Sequence, residues 1–321
     1  MRYTIYCDSE VEAHWFKSLC PHKLRNAEVR KIARRGENPK LIDQLVSYDR
    51  PDIILFDGKE PILVVEKTRE VPTGHNVGQR FARLAKAAEM GVPSIYFLPY
   101  MAKKHGDYEN ICQMNPRVLL ALIKMSKFHK TTCCSFRWPA SEDGELIDDG
   151  SEDSELQATV SEFLANGGGR MTQLMVKQLD KMQGEYDQRV EDRQSYATPP
   201  SSIELTETSK TSLRDSSKKA LSICPVSKNR KGTLVYSIEM KPDKCKRQDP
   251  YTGMQFIYDY AYCRNGANRS NRTHNLVFKF PLLDSHTFLT NNPNDPGSKS
   301  CNWYLLADGF EFSDIYVSNN E

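Results

Sequence analysis

The sequence predicts an α/β protein with a β-rich C-terminal region. Three observations predict it. Over residues 1–138, short β-branched apolar runs are interleaved with amphipathic helical stretches. An acidic and then Ser/Thr-rich middle breaks that pattern. Four more strand-like runs, separated by turn clusters, close the chain.

Residues 9–19 and 39–47 carry apolar spacing that fits helices. Residues 51–57 (PDIILFD) and 61–68 (PILVVEKT) are short, apolar and β-branched, with Gly58 between them, which predicts a hairpin. Residues 76–90 (NVGQRFARLAKAAEM) place Phe81, Leu84, Ala85 and Ala88 on one helical face, and Gly91 ends the helix. VPSIYFLPY (92–100) reads as a buried strand. Residues 115–128 predict another helix, with Asn115 as N-cap and Pro116 at the first position. The order is two helices, two strands, helix, strand, helix.

Residues 139–156 contain eight acids and no base, the composition of a solvated linker. Residues 152–165 and 170–193 predict surface helices broken at Gly167-Gly168-Gly169, and 196–220 a Ser/Thr-rich loop. Strands are expected at 232–240, 254–263, 275–281 and 302–309, with turns at 249–253 and 292–297. The expected organisation is a core at 1–138, a connector with surface helices at 139–222, and a β-rich region at 223–321.

Charge needs to be read by segment. The 44 Lys/Arg and 42 Asp/Glu of the 321 residues give a net charge of +2, which argues against a uniformly basic nucleic-acid binder. Residues 1–138 alone hold 23 Lys/Arg and 15 Asp/Glu, a net of +8, and the acidic middle offsets them. No apolar run reaches 18 residues and the N-terminus has no apolar leader, so a cytoplasmic protein without a membrane partner is expected. Nine scattered Cys without C-x₂-C spacing predict reduced thiols rather than a disulfide framework or structural zinc. No phosphate-binding glycine loop is present, so no nucleotide cofactor is expected.

The hairpin carries the chemistry. If it closes symmetrically about Lys59, Asp52 faces Glu66, Ile54 faces Val64 and Phe56 faces Ile62. Cross-strand partners lie about 5 Å apart, so two carboxylates meet at the open end. Alternation puts Ile62, Val64, Glu66 and Thr68 on one face. Paired carboxylates repel unless one takes a proton or a cation joins them. A hard divalent ion suits oxygen ligands and phosphodiester chemistry. The plain alternative is two charges at ordinary strand ends.

Pro51-Asp52, then Glu66-Lys67-Thr68, then a helix with Gln79 and Arg83 resembles the PD-(D/E)xK nuclease superfamily, especially its type II restriction endonucleases. The resemblance covers residues 40–100. It implies a restriction-endonuclease-like core, a mixed central sheet flanked by helices. It implies a Mg²⁺ site, open to Mn²⁺ as a substitute, held by Asp52, Glu66 and the backbone carbonyl of Lys67. It further implies a homodimer that cuts double-stranded DNA. The family lysine falls two residues after the Glu, where this chain has Thr68. Lys67 is adjacent but belongs to the opposite strand face. Three explanations stay open. The cation has moved to the helix, where Gln79, Arg83 and Lys86 share a polar face, with Lys86 favoured; a bulge turns Lys67 inward; or the site is inactive. A repair, recombination or RNA-cleaving enzyme on the same core is the alternative activity, and an inactive DNA-binding protein the alternative class.

Further bases are candidates for phosphate or base contact. Residues 23–40 hold seven bases and two acids, among them Arg30, Lys31, Arg34 and Arg35. Lys244, Lys246 and Arg247, and then Arg264, Arg269 and Arg272, lie in loop-like basic segments. Arg83 joins this set from the helix. Glu10 and Glu12 on the first helix are candidates for an additional carboxylate.

Overall fold

The computed structural model describes residues 3–34, 36–47, 49–73, 80–103, 110–168, 171–193, 204–208, 232–237, 242, 274–291, 308–314 and 316–318. It is an α/β protein with a mixed central sheet flanked by helices.

The central sheet is built from β1 (Tyr3–Cys7), β2 (Glu28–Lys31), β3 (Ile53–Asp57), β4 (Glu60–Lys67), β5 (Ser94–Leu98) and β8 (Cys133–Arg137). Their order is β2-β1-β3-β4-β5-β8. β1 runs antiparallel to β3 and β3 antiparallel to β4, while β4, β5 and β8 are mutually parallel. Helix α4 (Phe81–Glu89) is the crossover between the parallel strands β4 and β5, as parallel pairing requires. A small antiparallel pair, β6 (Met101–Lys103) and β7 (Ile111–Gln113), follows β5.

Alternation along the hairpin splits the core between the two sheet faces. Ile53, Leu55, Leu63 and Val65 pack with Ala13, Phe16 and Leu19 of α1 (Glu10–Leu19). Ile54, Phe56 and Val64 pack with Ile42 and Leu45 of α3 (Lys40–Leu45), and with Ala87 of α4. Between α1 and β2 lies the single-turn α2 (Pro21–Leu24). The symmetric pairing holds at the open end, where Ile53 faces Val65 and Ile54 faces Val64. Near the turn it shifts, and Phe56 faces Pro61, not Ile62. The two-residue loop Gly58-Lys59 sets Asp57 opposite Glu60, with Gly58 at φ +60° supplying the turn geometry. Pro61 has no N–H for the ladder, and the bulge beside it restores the outer register. The bulge also moves Ile62 off the Val64 face into the cluster of Leu63 and Val65.

Three strands of the central sheet, β1, β2 and β8, were not among the predicted elements. The helix predicted at 115–128 is α5 (Arg117–His129), whose N-cap is Pro116 and not the expected Asn115; the Asn115 side chain, one residue earlier, accepts from the Arg117 N–H at 3.0 Å.

The acidic stretch after 138 is docked, contrary to the linker its composition predicts. The Trp138 indole donates to the Ile147 carbonyl at 2.9 Å, and the Lys103 N–H to Gly144 at 2.8 Å. Asp148 pairs with Lys67 and Arg69. Two cations beneath the stretch thus offset part of its charge. The next two helices, α6 (Ser154–Ala165) and α7 (Gln173–Asp192), have buried faces as well. Leu156, Val160, Phe163, Met175 and Met182 join the main core. Arg189 of α7 donates to the Met114 carbonyl at 2.9 Å. The described residues of 139–192 therefore pack as part of the first structural unit. Gly144 is one fixed point of this docking. Its φ is +85°, and a Cβ there would lie 2.9 Å from Ile111 Cγ1 and 3.1 Å from the Lys103 nitrogen. Gly144→Ala is expected to cost at least about 1–2 kcal/mol from the left-handed backbone alone, read as a lowered urea midpoint.

The C-terminal strands form a second sheet, β13-β12-β11-β10-β9. They are β9 (Glu204–Thr208), β10 (Gly232–Ser237), β11 (His274–Phe280), β12 (Gly309–Phe312) and β13 (Tyr316–Ser318). β10, β11 and β12 run parallel. Phe280 and Phe312, on β11 and β12, cluster with Phe288 of α8 (Ser285–Asn291), ring centroids 5.1–5.7 Å apart. Strands predicted at 232–240 and 275–281 correspond to β10 and β11. The strand predicted at 254–263 lies outside the described residues. Of 302–309 only Asp308 and Gly309 are described, and Gly309 begins β12. Among the described residues no helix is long and apolar enough to cross a membrane.

Candidate active site

Asp52 immediately precedes β3 and Glu66 is the penultimate residue of β4. Both side chains lie on the sheet face of Ile54 and Val64. Neither is at an ordinary solvated strand end: Asp52 is 5% exposed and Glu66 0%. Tyr96 of β5 pairs with Glu66 across the parallel ladder and is also buried.

Helix α4 directs two arginines onto these carboxylates. Arg83 Nη1 lies 2.7 and 2.9 Å from the two Glu66 oxygens and 3.4 Å from Asp52 Oδ1. Arg83 Nε donates to Asp49 Oδ2 at 2.9 Å. Arg80, at the N-cap of α4, donates to Glu66 Oε1 at 2.7 Å. One guanidinium therefore bridges three carboxylates from two segments, and a second backs it. The planar fork of arginine suits this role, since it presents several donors in fixed directions. Asp52 Oδ2 accepts the backbone N–H of Lys67 at 2.6 Å. In extended backbone a residue's N–H and C=O leave the strand on the same edge, so the Lys67 carbonyl leaves on the Asp52 side.

Glu12 of α1 is coupled electrostatically to Glu66, Asp52 and Arg83. Its Oε2 is buried with no hydrogen-bond partner among the described residues. Three carboxylates thus share two guanidinium groups, with Glu12 coupled to them electrostatically, and full ionisation of the four leaves two negative charges unmatched. The titration directions agree. Burial, and then the neighbouring Glu66, push Asp52 well above the ordinary aspartate value. Burial also raises Asp49, against the pull of Arg83. Burial followed by Glu66 and Asp8 raises Glu12. Burial alone would lower Arg83, but Glu66, Asp49 and Asp52 outweigh it and hold the guanidinium charged.

Lys67 points away, as alternation predicts and an inward bulge does not. Its ammonium sits 4.4 Å from the Trp15 ring centroid and 4.2 Å from that of Trp138, with Asp148 at 3.6 Å. Burial lowers its pKa, with Asp148 acting in the opposite direction. Thr68 is buried and its Oγ1 accepts the Glu70 N–H at 3.2 Å, a local turn that brings no cation. Lys86, favoured from sequence as the migrated cation, is not brought to the carboxylate pair. One turn beyond Arg83, its Nζ lies 3.9 Å from Glu89, and it lines a cleft with Gly36, Asn38, Asp43 and Ser47. Arg83 fills that position instead. Gln79 lies outside the described residues.

Of the basic candidates, Arg30 and Lys31 stand exposed on the edge strand β2, and Arg34 is exposed just beyond it. Arg30 pairs with Glu28 at 2.8 Å and packs over the Tyr6 ring. Arg35, Lys244, Lys246, Arg247, Arg264, Arg269 and Arg272 lie outside the described residues. The predicted Glu10 is exposed, while Glu12 joins the cluster. Asp49 and Arg80 were not singled out from sequence. For Arg80 the signal was spacing, three residues before Arg83 and one helical turn away; Asp49 lies in the irregular segment before β3, where no such period applies. Cys7, Cys20, Cys112, Cys133 and Cys134 are free thiols.

The donors fit a hard divalent ion in kind and in charge, being carboxylate oxygens with unmatched negative charge and one orphaned oxygen. In arrangement, Arg83 stands between them. Among the described residues no three His, Cys, Asp or Glu side chains form a ready ligand set. Comparison of the chain with family models, curated proteins and solved structures finds no match.

Proposed function

We propose that the chain is a metal-dependent endonuclease that hydrolyses phosphodiester bonds of double-stranded DNA, site-specifically in the manner of a type II restriction enzyme. The observation that carries this reading is the set of buried carboxylates Asp49, Asp52 and Glu66 gathered about Arg83 of α4, with Glu12 of α1 coupled to them electrostatically. The surrounding layout supports it: an antiparallel hairpin bears the two principal carboxylates, and a helical crossover leads to a parallel strand. Asp52, Glu66 and the Lys67 carbonyl would hold Mg²⁺ or Mn²⁺, with Glu12 as a further donor. The bound ion would supply an activated water and offset charge developing on the phosphate.

The chain's own residues have separate tasks. The Lys67 N–H fixes the Asp52 carboxylate. Arg80 orients Glu66. Arg30, Lys31 and Arg34 offer exposed cations to the DNA backbone. Symmetric cutting of both strands calls for a two-fold homodimer.

A second reading, an inactive DNA-binding protein of the same fold, is favoured by one feature. Among the described residues no lysine is paired with the carboxylates, and Lys67 lies between two tryptophans on the opposite face. Incubation with phage DNA and Mg²⁺, Mn²⁺ or Co²⁺ separates the two. Discrete fragments are expected. DNA binding without cleavage under all three ions selects the inactive reading, and cleavage confined to flaps, junctions or RNA selects a different nuclease class.

A further inference from the structure

We infer that Arg83 is an exchangeable plug, which holds the carboxylate cluster closed and gives way when a divalent ion binds. This rests on the metal-site reading above. Arg83 occupies the position a shared cation would take, touching Asp49, Asp52 and both oxygens of Glu66 at 2.7–3.4 Å. It neutralises the cluster incompletely. Arg80 supplies one more charge to Glu66, while Glu12 Oε2 stays buried without a hydrogen-bond partner among the described residues. A divalent ion brings twice the charge and shorter contacts, about 2.0–2.1 Å for Mg²⁺. The direct attraction of the carboxylates to the ion therefore exceeds that to the guanidinium, and it is set against the ion's dehydration.

The plug also has a reason to be arginine. Without any cation, the carboxylates of Asp49, Asp52 and Glu66 would crowd a site in which all three are almost fully buried. Leaving such charges unpaired is strongly unfavourable. Once displaced, a guanidinium is suited to bind a phosphate oxygen of the substrate. That would place on α4 the cation absent at Thr68. Closing the site with the same side chain links metal binding to readiness for phosphate.

The test is Mn²⁺ binding by the 321-residue chain, free of DNA, followed by calorimetric titration and by thermal unfolding. Arg83→Met is expected to unfold at lower temperature in EDTA and to regain stability with Mn²⁺. It is also expected to bind Mn²⁺ at least about tenfold more tightly than the wild type, the lower end of effects seen when groups around a metal site change. Arg83→Lys keeps a charge but cannot span three carboxylates, so it secures the experiment if the methionine variant fails to fold. It too should bind Mn²⁺ more tightly than the wild type. Equal affinity in wild type and variants, abolished by Asp52→Asn, overturns the plug and leaves the metal site standing. Absence of Mn²⁺ binding in all of them overturns the metal site and the plug together.

Discussion

Asp52→Asn is expected to abolish metal-dependent DNA cleavage while leaving the metal-free protein at least as stable as the wild type. The reason is that the Asp52 charge is costly to the apo fold. Asp52 is 5% exposed and lies beside Glu66, and its contact with Arg83 is long, at 3.4 Å. Its firm bond is the one accepted from the Lys67 N–H at 2.6 Å, and an asparagine oxygen can accept it equally. The sign of the pH dependence follows. The folded-state pKa of Asp52 is raised, first by burial and then by Glu66. Its stabilising contribution is present below the unfolded value and is lost as pH rises through the folded one. In EDTA, urea unfolding at acid and neutral pH should show the asparagine variant gaining on the wild type as pH rises. Glu66→Gln is expected to behave differently. Both Glu66 oxygens serve Arg83 and one serves Arg80. Losing that charge takes the carboxylate from Arg80 and leaves Arg83 with Asp49 and the longer contact to Asp52, at a cost of up to about 3–5 kcal/mol. Cleavage by either variant at the wild-type rate removes Asp52 or Glu66 from the site. Equal destabilisation by both contradicts the charge distribution described for the cluster.

Trp138→Ala is expected to cost about 3–5 kcal/mol, the range for truncating a large buried aromatic, and to release the acidic segment that follows it. Trp138 is 2% exposed and stacks on Phe97 with centroids 5.0 Å apart. Phe97 in turn stacks on Trp15 at 5.3 Å. Lys67 sits against both tryptophan rings and also reaches Asp148. The Trp138 indole holds the Ile147 carbonyl at 2.9 Å. One side chain thus ties the β8 end, the Lys67 ammonium and the acidic stretch together. Limited proteolysis should cut the variant within residues 139–153 much faster than the wild type. An unchanged cleavage pattern would mean that the stretch is held by other contacts.

The sequence by itself determined the elements whose cause is local. The helices at 10–19, 81–89 and 117–129 follow apolar spacing and end signals. The hairpin at 53–67 follows two β-branched runs about a glycine, and its open-end register places Asp52 and Glu66 together. The strand face of Lys67 was equally legible, since alternation depends only on position parity. What composition misread was the acidic segment. Part of its charge, on Glu145 and Asp148, is offset by Lys67, Arg69 and Lys103, which are distant in sequence. β1 and β8 escaped for a related reason. Their strand identity depends on partners, β1 lying between β2 and β3, and β8 beside β5.

At the site, local pattern proposed the two carboxylates, but only the tertiary structure decided which cation meets them. Arg83 and Lys86 lie on the same helix and are equivalent by spacing alone. The packing of α4 against β4 and β5 turns Arg83 onto Glu66, and carries Lys86 one turn farther, towards Glu89 and α3. A helix rotates its side chains about 100° per residue, so its docking angle, set by long-range contacts, selects the residue that reaches the sheet.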